Sequence, residues 1–197
     1  PRPPKETGLL ERLGLTRRRY FLYVSRFEPE NNPHRVAAAY AQAHQGTDVP
    51  LVMVGGAPYA QGFIASFTEG ADPRIRFPGP IYGEGYRELL ANAYAYLHAT
   101  EVGGTHPALV EAMGYGNCVL LHDTPENREV AGGTARWFDA HRPLTLTAEI
   151  EWALAHPQGV AALREQAAAR AAERFSWDAV ADRYAALLAR LPAQEFE

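Results

Sequence analysis

Four short apolar runs restrict the fold of this chain more than any other feature. They are residues 20–25 (YFLYVS), 50–54 (PLVMV), 95–99 (AYLHA) and 118–121 (CVLL). None alternates apolar with polar side chains, as a strand with one wet face would. A strand that is apolar on both sides has to be covered on both sides, which is the condition of a parallel sheet between layers of helix. The segments between the runs supply those helices. One opens with Asn32 as N-cap and Pro33 in the first helical position. Others are expected over residues 59–67, 85–93, 105–115 and 126–131. Residues 74–77 (RIRF) and 135–138 (ARWF) read as two further strands, the second edge-like. Strands alternating with helices predict an α/β domain with a parallel sheet of about six strands and helices on both faces.

The rest of the chain reads as helix. Residues 147–156 and 159–175 are Ala-rich and amphipathic. The last helix has Ser176 as N-cap and Asp178 at the positive end of its dipole. Val180, Tyr184, Leu187, Leu188 and Leu191 fall on one side of it and are expected to be buried. With 197 residues, 47% hydrophobic and 21% charged, the chain is expected to be one soluble globular domain. Its net charge of −4 argues against a nucleic-acid or anionic-membrane surface. No window approaches the roughly 18 apolar residues of a membrane span. The single cysteine, Cys118, lies inside a strand and reads as a buried thiol. Residues 1–19 begin with Pro1, Arg2, Pro3 and Pro4 and read as a linker, with the domain over residues 20–197. The chain starts at proline rather than methionine, so it is expected to be a piece of something longer.

In an open parallel sheet, ligands bind outside the carboxyl ends of the strands. The residues that follow each run are therefore the ones to inspect, and they are rich in Gly, Asn, Thr and Arg. Gly103, Gly104 and Thr105 join a strand to a helix. Glycines allow a close backbone approach, and the helix start offers unpaired N–H groups and a positive dipole end to an anion. Thr105 can cap that helix, and an ordinary capped turn is the alternative. His106, in the same loop, is within reach of a phosphate or sugar. Glu111, one turn into the helix, can accept two hydrogen bonds from a diol, or it is a solvated helix charge. Arg26 follows the first strand and suits a bidentate phosphate contact, the alternative being a surface ion pair with Glu28 or Glu30. Gly55 and Gly56 follow the second strand and are candidate donor-binding residues, although residues 57–61 complete no dinucleotide fingerprint. His98 and His122 read as satisfied structural residues. Metal and nucleophilic-hydrolase templates (HExxH, CxxC, GxSxG) are absent, so no metal site is expected.

The order SRFEPENN, LVMVGG, RFPGPI, ELLANAYAYLHAT, GGTHPALVEAMGYGNCVL, NREV and FSWDAVADRYAALL resembles the carboxyl-terminal domain of group 1 (family 4) glycosyltransferases, over about residues 20–191. SRFEPENN and GGTHPALVEAMGYGN look most like a bacterial, rhamnosyltransferase-like branch. The resemblance implies one Rossmann-like half of a GT-B fold with extra C-terminal helices. It implies a cytoplasmic, retaining enzyme, or one at the inner face of the membrane, that moves a sugar from a UDP-, dTDP- or GDP-sugar to a glycan or lipid-linked acceptor. No cofactor would be required. Arg26 matches the family's diphosphate-binding arginine, and Asn31 stands where the family commonly has a lysine. Glu111 matches the ribose-binding acid, and Ile81 the position whose backbone reads the base. Gly103 stands where a first acid is usual. The amino-terminal acceptor domain is absent, so the isolated chain is expected to be inactive. The alternatives are a non-catalytic Rossmann-like binding module and another GT-B enzyme such as a nucleotide-sugar epimerase.

Overall fold

Six parallel strands run in the order β3-β2-β1-β4-β5-β6. The computed structural model describes residues 2–43 and 48–190. The strands are β1 (Phe21–Ser25), β2 (Leu51–Gly55), β3 (Ile75–Gly79), β4 (Ala95–His98), β5 (Cys118–His122) and β6 (Ala135–Phe138). Each expected strand is present, with ends displaced by no more than two residues. The edge position expected for residues 135–138 is the one β6 takes. Pro78 lies in the other edge strand, β3, where a missing N–H costs least.

The lack of alternation has its physical origin in two cores. Phe21, Tyr23, Leu51, Met53, Leu97 and Leu120 point into one of them. Leu22, Val52, Val54, Tyr96, Val119 and Leu121 point into the other. Successive side chains of each strand thus enter opposite, equally dry layers. The first face is covered by α2 (Pro33–Gln42), α3 (Gln61–Thr68) and α7 (Pro143–Ala155). The second is covered by α1 (Leu9–Arg12), α4 (Gly83–Asn92), α5 (Pro107–Gly114) and α6 (Pro125–Ala131). Helix α8 (Pro157–Arg174) serves both, with Val160 in the first core and Ala167 and Ala171 in the second. No helix among the described residues is long and apolar enough to cross a membrane.

Three local readings are corrected. The segment read as a linker carries α1, whose Leu9 and Leu10 are buried beside α4, and Thr7 hydrogen-bonds to Glu88 through its amide (2.9 Å) and its hydroxyl. Asn32 does precede α2, with Pro33 at its first position, but in a left-handed conformation (φ 56°) and with no capping bond from its side chain. The apolar side of α9 (Trp177–Leu188) is exposed rather than buried: Tyr184, Leu187 and Leu188 are each more than half accessible. Periodicity identifies an apolar face and says nothing of what covers it. Leu191 lies outside the described residues.

The turn that joins α5 to β5 is held by one buried amide. Asn117 Nδ2 donates to the carbonyls of Leu90 (2.8 Å) and Ala112 (2.9 Å), tying the ends of α4 and α5 together. Asn117→Ala is expected to lower the unfolding free energy by about 1–2 kcal/mol, read as a shift of the urea midpoint at unchanged m. An unchanged midpoint would mean that the amide is not part of the helix pairing.

Candidate functional site

The strand order reverses between β1 and β4, so the crevice outside their carboxyl ends is the topological switch point. The loops after these two strands are stitched together across it. Asn31 Nδ2 donates to the Arg26 carbonyl (2.9 Å), and Asn31 Oδ1 accepts from the Thr100 hydroxyl (3.0 Å). Asn32 Nδ2 donates to the Ala99 carbonyl (2.9 Å) and to Glu101 Oε1 (2.7 Å). The Glu101 amide donates back to the Glu30 carbonyl (3.0 Å). This is what the left-handed Asn32 is for: its side chain crosses to the β4 loop instead of capping its own helix.

The stitched loops border an open cavity of about 440 Å³ whose walls include Ser25, Arg26, Asn31, His98, Thr100 and His106. Arg26 stands at its mouth, largely exposed, with Nη1 3.2 Å from Glu28 Oε1. The guanidinium end of this pair is exposed, while the Glu28 carboxylate is buried. Behind Arg26, Glu28 Oε1 accepts from the Tyr59 hydroxyl, and Oε2 is buried without a partner.

The loop between β4 and α5 supplies donors. The helix begins at Pro107, with His106 rather than Thr105 in the N-cap position and no capping side chain. Among the described residues nothing accepts from the amides of Gly103, Gly104, Thr105, His106 or Ala108. Ala108 and His106 also line the cavity. Gly103 has φ 129°, and a Cβ on it would meet His106 Cε1 at 2.9 Å. The imidazole therefore fills the space that a side chain at position 103 would need.

Two histidines face each other in this wall. The rings of His98 and His106 lie 4.7 Å apart. His98 is buried, as expected of a structural residue, yet it is not satisfied: its Nε2 has no hydrogen-bond partner. Burial, reinforced by His106 and His122, pushes the His98 pKa down to about 3. Burial also pushes His106 down, against the pull of Glu126. By contrast His122 is satisfied, its Nδ1 accepting from the Ala140 amide (3.1 Å).

The remaining candidates lie elsewhere. Glu111 is exposed on α5 and accepts from the Tyr86 hydroxyl (2.7 Å). It lines a second cavity, about 880 Å³, beside Arg87, Tyr115 and Trp177. Burial first, then the neighbouring Tyr96 and Glu111, raise the Tyr86 pKa, so its hydroxyl stays a donor. Ile81 lies in the loop after β3, half-buried against the second core, with Tyr82 exposed beside it. Gly55 ends β2 opposite Ser25, and the Gly56 carbonyl accepts from the Phe27 amide (3.4 Å); neither glycine lines the cavity. Reading along the chain also hides a convergence of Glu101, His122 and His141, whose ligand-type atoms lie within 4.8 Å of one another. There Glu101 Oε1 already accepts from Asn32 and faces His141 Nε2 at 3.2 Å.

Residues 10–174 match the family described as glycosyl transferases group 1. The chain belongs to that family. Solved structures agree on the fold of this group 1 domain. The Anabaena protein Alr3699/HepE, in complex with UDP and glucose, superposes with a TM-score of 0.83 at 22% identity, over 94% of this chain and 52% of that one. The same protein with UDP-glucose gives 0.82. Sucrose-phosphate synthase from Thermosynechococcus elongatus gives 0.77 at 22% identity, over 95% of this chain and 49% of that one. The group 1 domain thus spans about half the length of these structures. The catalytic domain of cholesterol-α-glucosyltransferase from Helicobacter pylori gives 0.65 at 22% identity, over 78% of this chain and 98% of that one. No curated protein matches the sequence.

Proposed function

We propose that this group 1 domain is the donor-binding half of a retaining glycosyltransferase that moves a sugar from a nucleotide-diphosphate sugar to a glycan or lipid-linked acceptor. One observation carries the reading: at the switch point, Arg26 lines one cavity together with His106 and Ala108, two helix-start residues whose amides have no acceptor among the described residues. A guanidinium and free helix-start amides are the groups that hold a diphosphate. The UDP and UDP-glucose complexes of HepE support the same ligand class. In this proposal Arg26 and the amides of residues 103–106 stabilise the departing diphosphate, and catalysis is positioning and electrostatics. Glu111 lies five residues beyond His106, about 7 Å along the helix axis. That suits a ribose joined to a diphosphate held at the helix start, with the Ile81 backbone beyond it for the base. Asn31, whose side chain holds the Arg26 carbonyl and the Thr100 hydroxyl, positions Arg26 and keeps one N–H for a ligand in the cavity it lines.

The motifs SRFEPENN and GGTHPALVEAMGYGN support a rhamnosyltransferase-like enzyme. The coverage of about half of HepE and of sucrose-phosphate synthase supports an amino-terminal domain that completes the acceptor site. The 197 residues alone are then expected to bind donor without turnover.

The test is thermal denaturation with UDP, dTDP and GDP. At a hundredfold excess over Kd, a bound nucleotide stabilises by about 2.7 kcal/mol, which raises Tm by roughly 5–10 °C in a domain of this size. Arg26→Ala is expected to weaken that nucleotide about 10- to 100-fold by removing a charge-assisted contact, and Glu111→Ala to weaken it less. A Tm that no nucleotide moves at millimolar concentration sinks the donor-site reading in favour of a non-catalytic module.

A further inference from the structure

We propose that His98 and His106 form a hydroxyl-reading subsite that selects the sugar of the nucleotide-sugar donor. The inference rests on the donor-site reading above and adds the part of the ligand that reading leaves unassigned.

His98 is only 3% exposed, yet it is one of the residues that wall the cavity, and its Nε2 has no partner among the described residues. A buried polar nitrogen without a partner is costly. The rest of the ring lines the cavity, so a ligand seated there packs against this imidazole, and a small shift of the ring brings Nε2 within its reach. His106 stands against it, with ring centroids 4.7 Å apart, and is held there because Gly103 carries no side chain.

The chemistry of the pair decides what it reads. Burial keeps His98 neutral and depresses His106. A neutral imidazole has one donor nitrogen and one acceptor nitrogen. That pairing matches a sugar hydroxyl, which donates and accepts at once, and offers little to a phosphate, which wants donors and positive charge. Those are available separately, in Arg26 and in the helix-start residues His106 and Ala108, whose amides have no acceptor among the described residues. Charge recognition and hydroxyl recognition are thus divided between different groups of one cavity.

The test is calorimetric titration of the 197-residue chain with UDP, GDP and dTDP, and with UDP-glucose, GDP-mannose and dTDP-rhamnose. In the unaltered chain, at least one sugar conjugate is expected to bind more tightly than its own nucleotide. His98→Phe is expected to abolish that increment, about five- to thirtyfold for one or two hydrogen bonds, while the bare nucleotide stays within twofold. His98→Gln, which can place a donor or acceptor near the lost Nε2, is expected to keep part of it. His106→Ala, at a half-buried loop position, gives a second reading should the Phe variant fold poorly, and is expected to lose part of the increment. The inference is overturned if the increment survives in both His98→Phe and His106→Ala. It is overturned equally if sugar conjugate and bare nucleotide weaken by the same factor, or if no conjugate outbinds its nucleotide. Failure of every nucleotide to bind overturns the donor-site reading itself, and this subsite with it.

Discussion

Gly55→Ala is expected to destabilise the chain by more than about 3 kcal/mol, moving the urea midpoint far below that of the unaltered protein. Gly55 is the last residue of β2 and pairs with Ser25 at the end of β1. Its φ is +154°, and a Cβ there would stand 1.8 Å from the Ser25 carbonyl oxygen and 2.9 Å from Phe27 Cε1. The first contact is with backbone of the neighbouring strand, which has no rotamer to change. Relief requires β1 and β2 to part where the chain turns toward Arg26. Backbone strain of this kind costs about 1–3 kcal/mol alone, and the displaced Phe27 adds lost packing, since its ring lies 5.6 Å from that of Phe67 in the first core. Gly56 is the internal control. A Cβ on it meets only Pro80 Cδ at 3.8 Å, so Gly56→Ala is expected to stay within about 0.5 kcal/mol. Equal midpoints for the two variants would show that the strand ends are free to move. Of two adjacent glycines marked as ligand-binding, one therefore has a packing reason of its own.

What the sequence makes legible is decided by which interactions are local. Burial on both faces leaves its mark on every residue of a strand, so YFLYVS, PLVMV and CVLL announce the sheet and even its parallel sense. Pro33, Pro107, Pro125 and Pro143 start helices by a property of the residue itself. Side chains that bond across the fold are not legible in this way. Asn32 looks like an N-cap, and only the arrival of Ala99 and Glu101 from β4 gives its amide better partners. Thr105 looks like a cap as well, but Pro107 fixes the helix start one position beyond His106. Glu111 and Arg26 share an expected ligand, yet they wall different cavities, because a residue one turn into α5 faces α4 while the helix start faces β1. His98 stands inside an apolar run, where a histidine reads as structural. Its orphaned Nε2 exists only once β4 and the loop carrying His106 close around it.

His98 also sets an expected response to acid. Its folded pKa is about 3, against the ordinary 6.5 for histidine. Below pH 6.5 the unfolded chain takes up a proton at this residue that the folded chain refuses. The unfolded state then binds more protons, and stability falls as pH falls from about 6.5 toward 3, levelling off below. At about pH 4.5 this one residue is expected to have cost roughly 3 kcal/mol relative to pH 7. The groups that press on it are His106 and His122, both of which oppose a charge on His98, so no neighbour rescues the imidazolium. Urea titrations at the two pH values separate this contribution from the carboxylates. His98→Gln cannot titrate, and its stability is expected to decline between pH 7 and 4.5 by about 3 kcal/mol less than that of the unaltered chain. Parallel declines in the two proteins would mean that the cavity admits enough water to solvate the imidazolium.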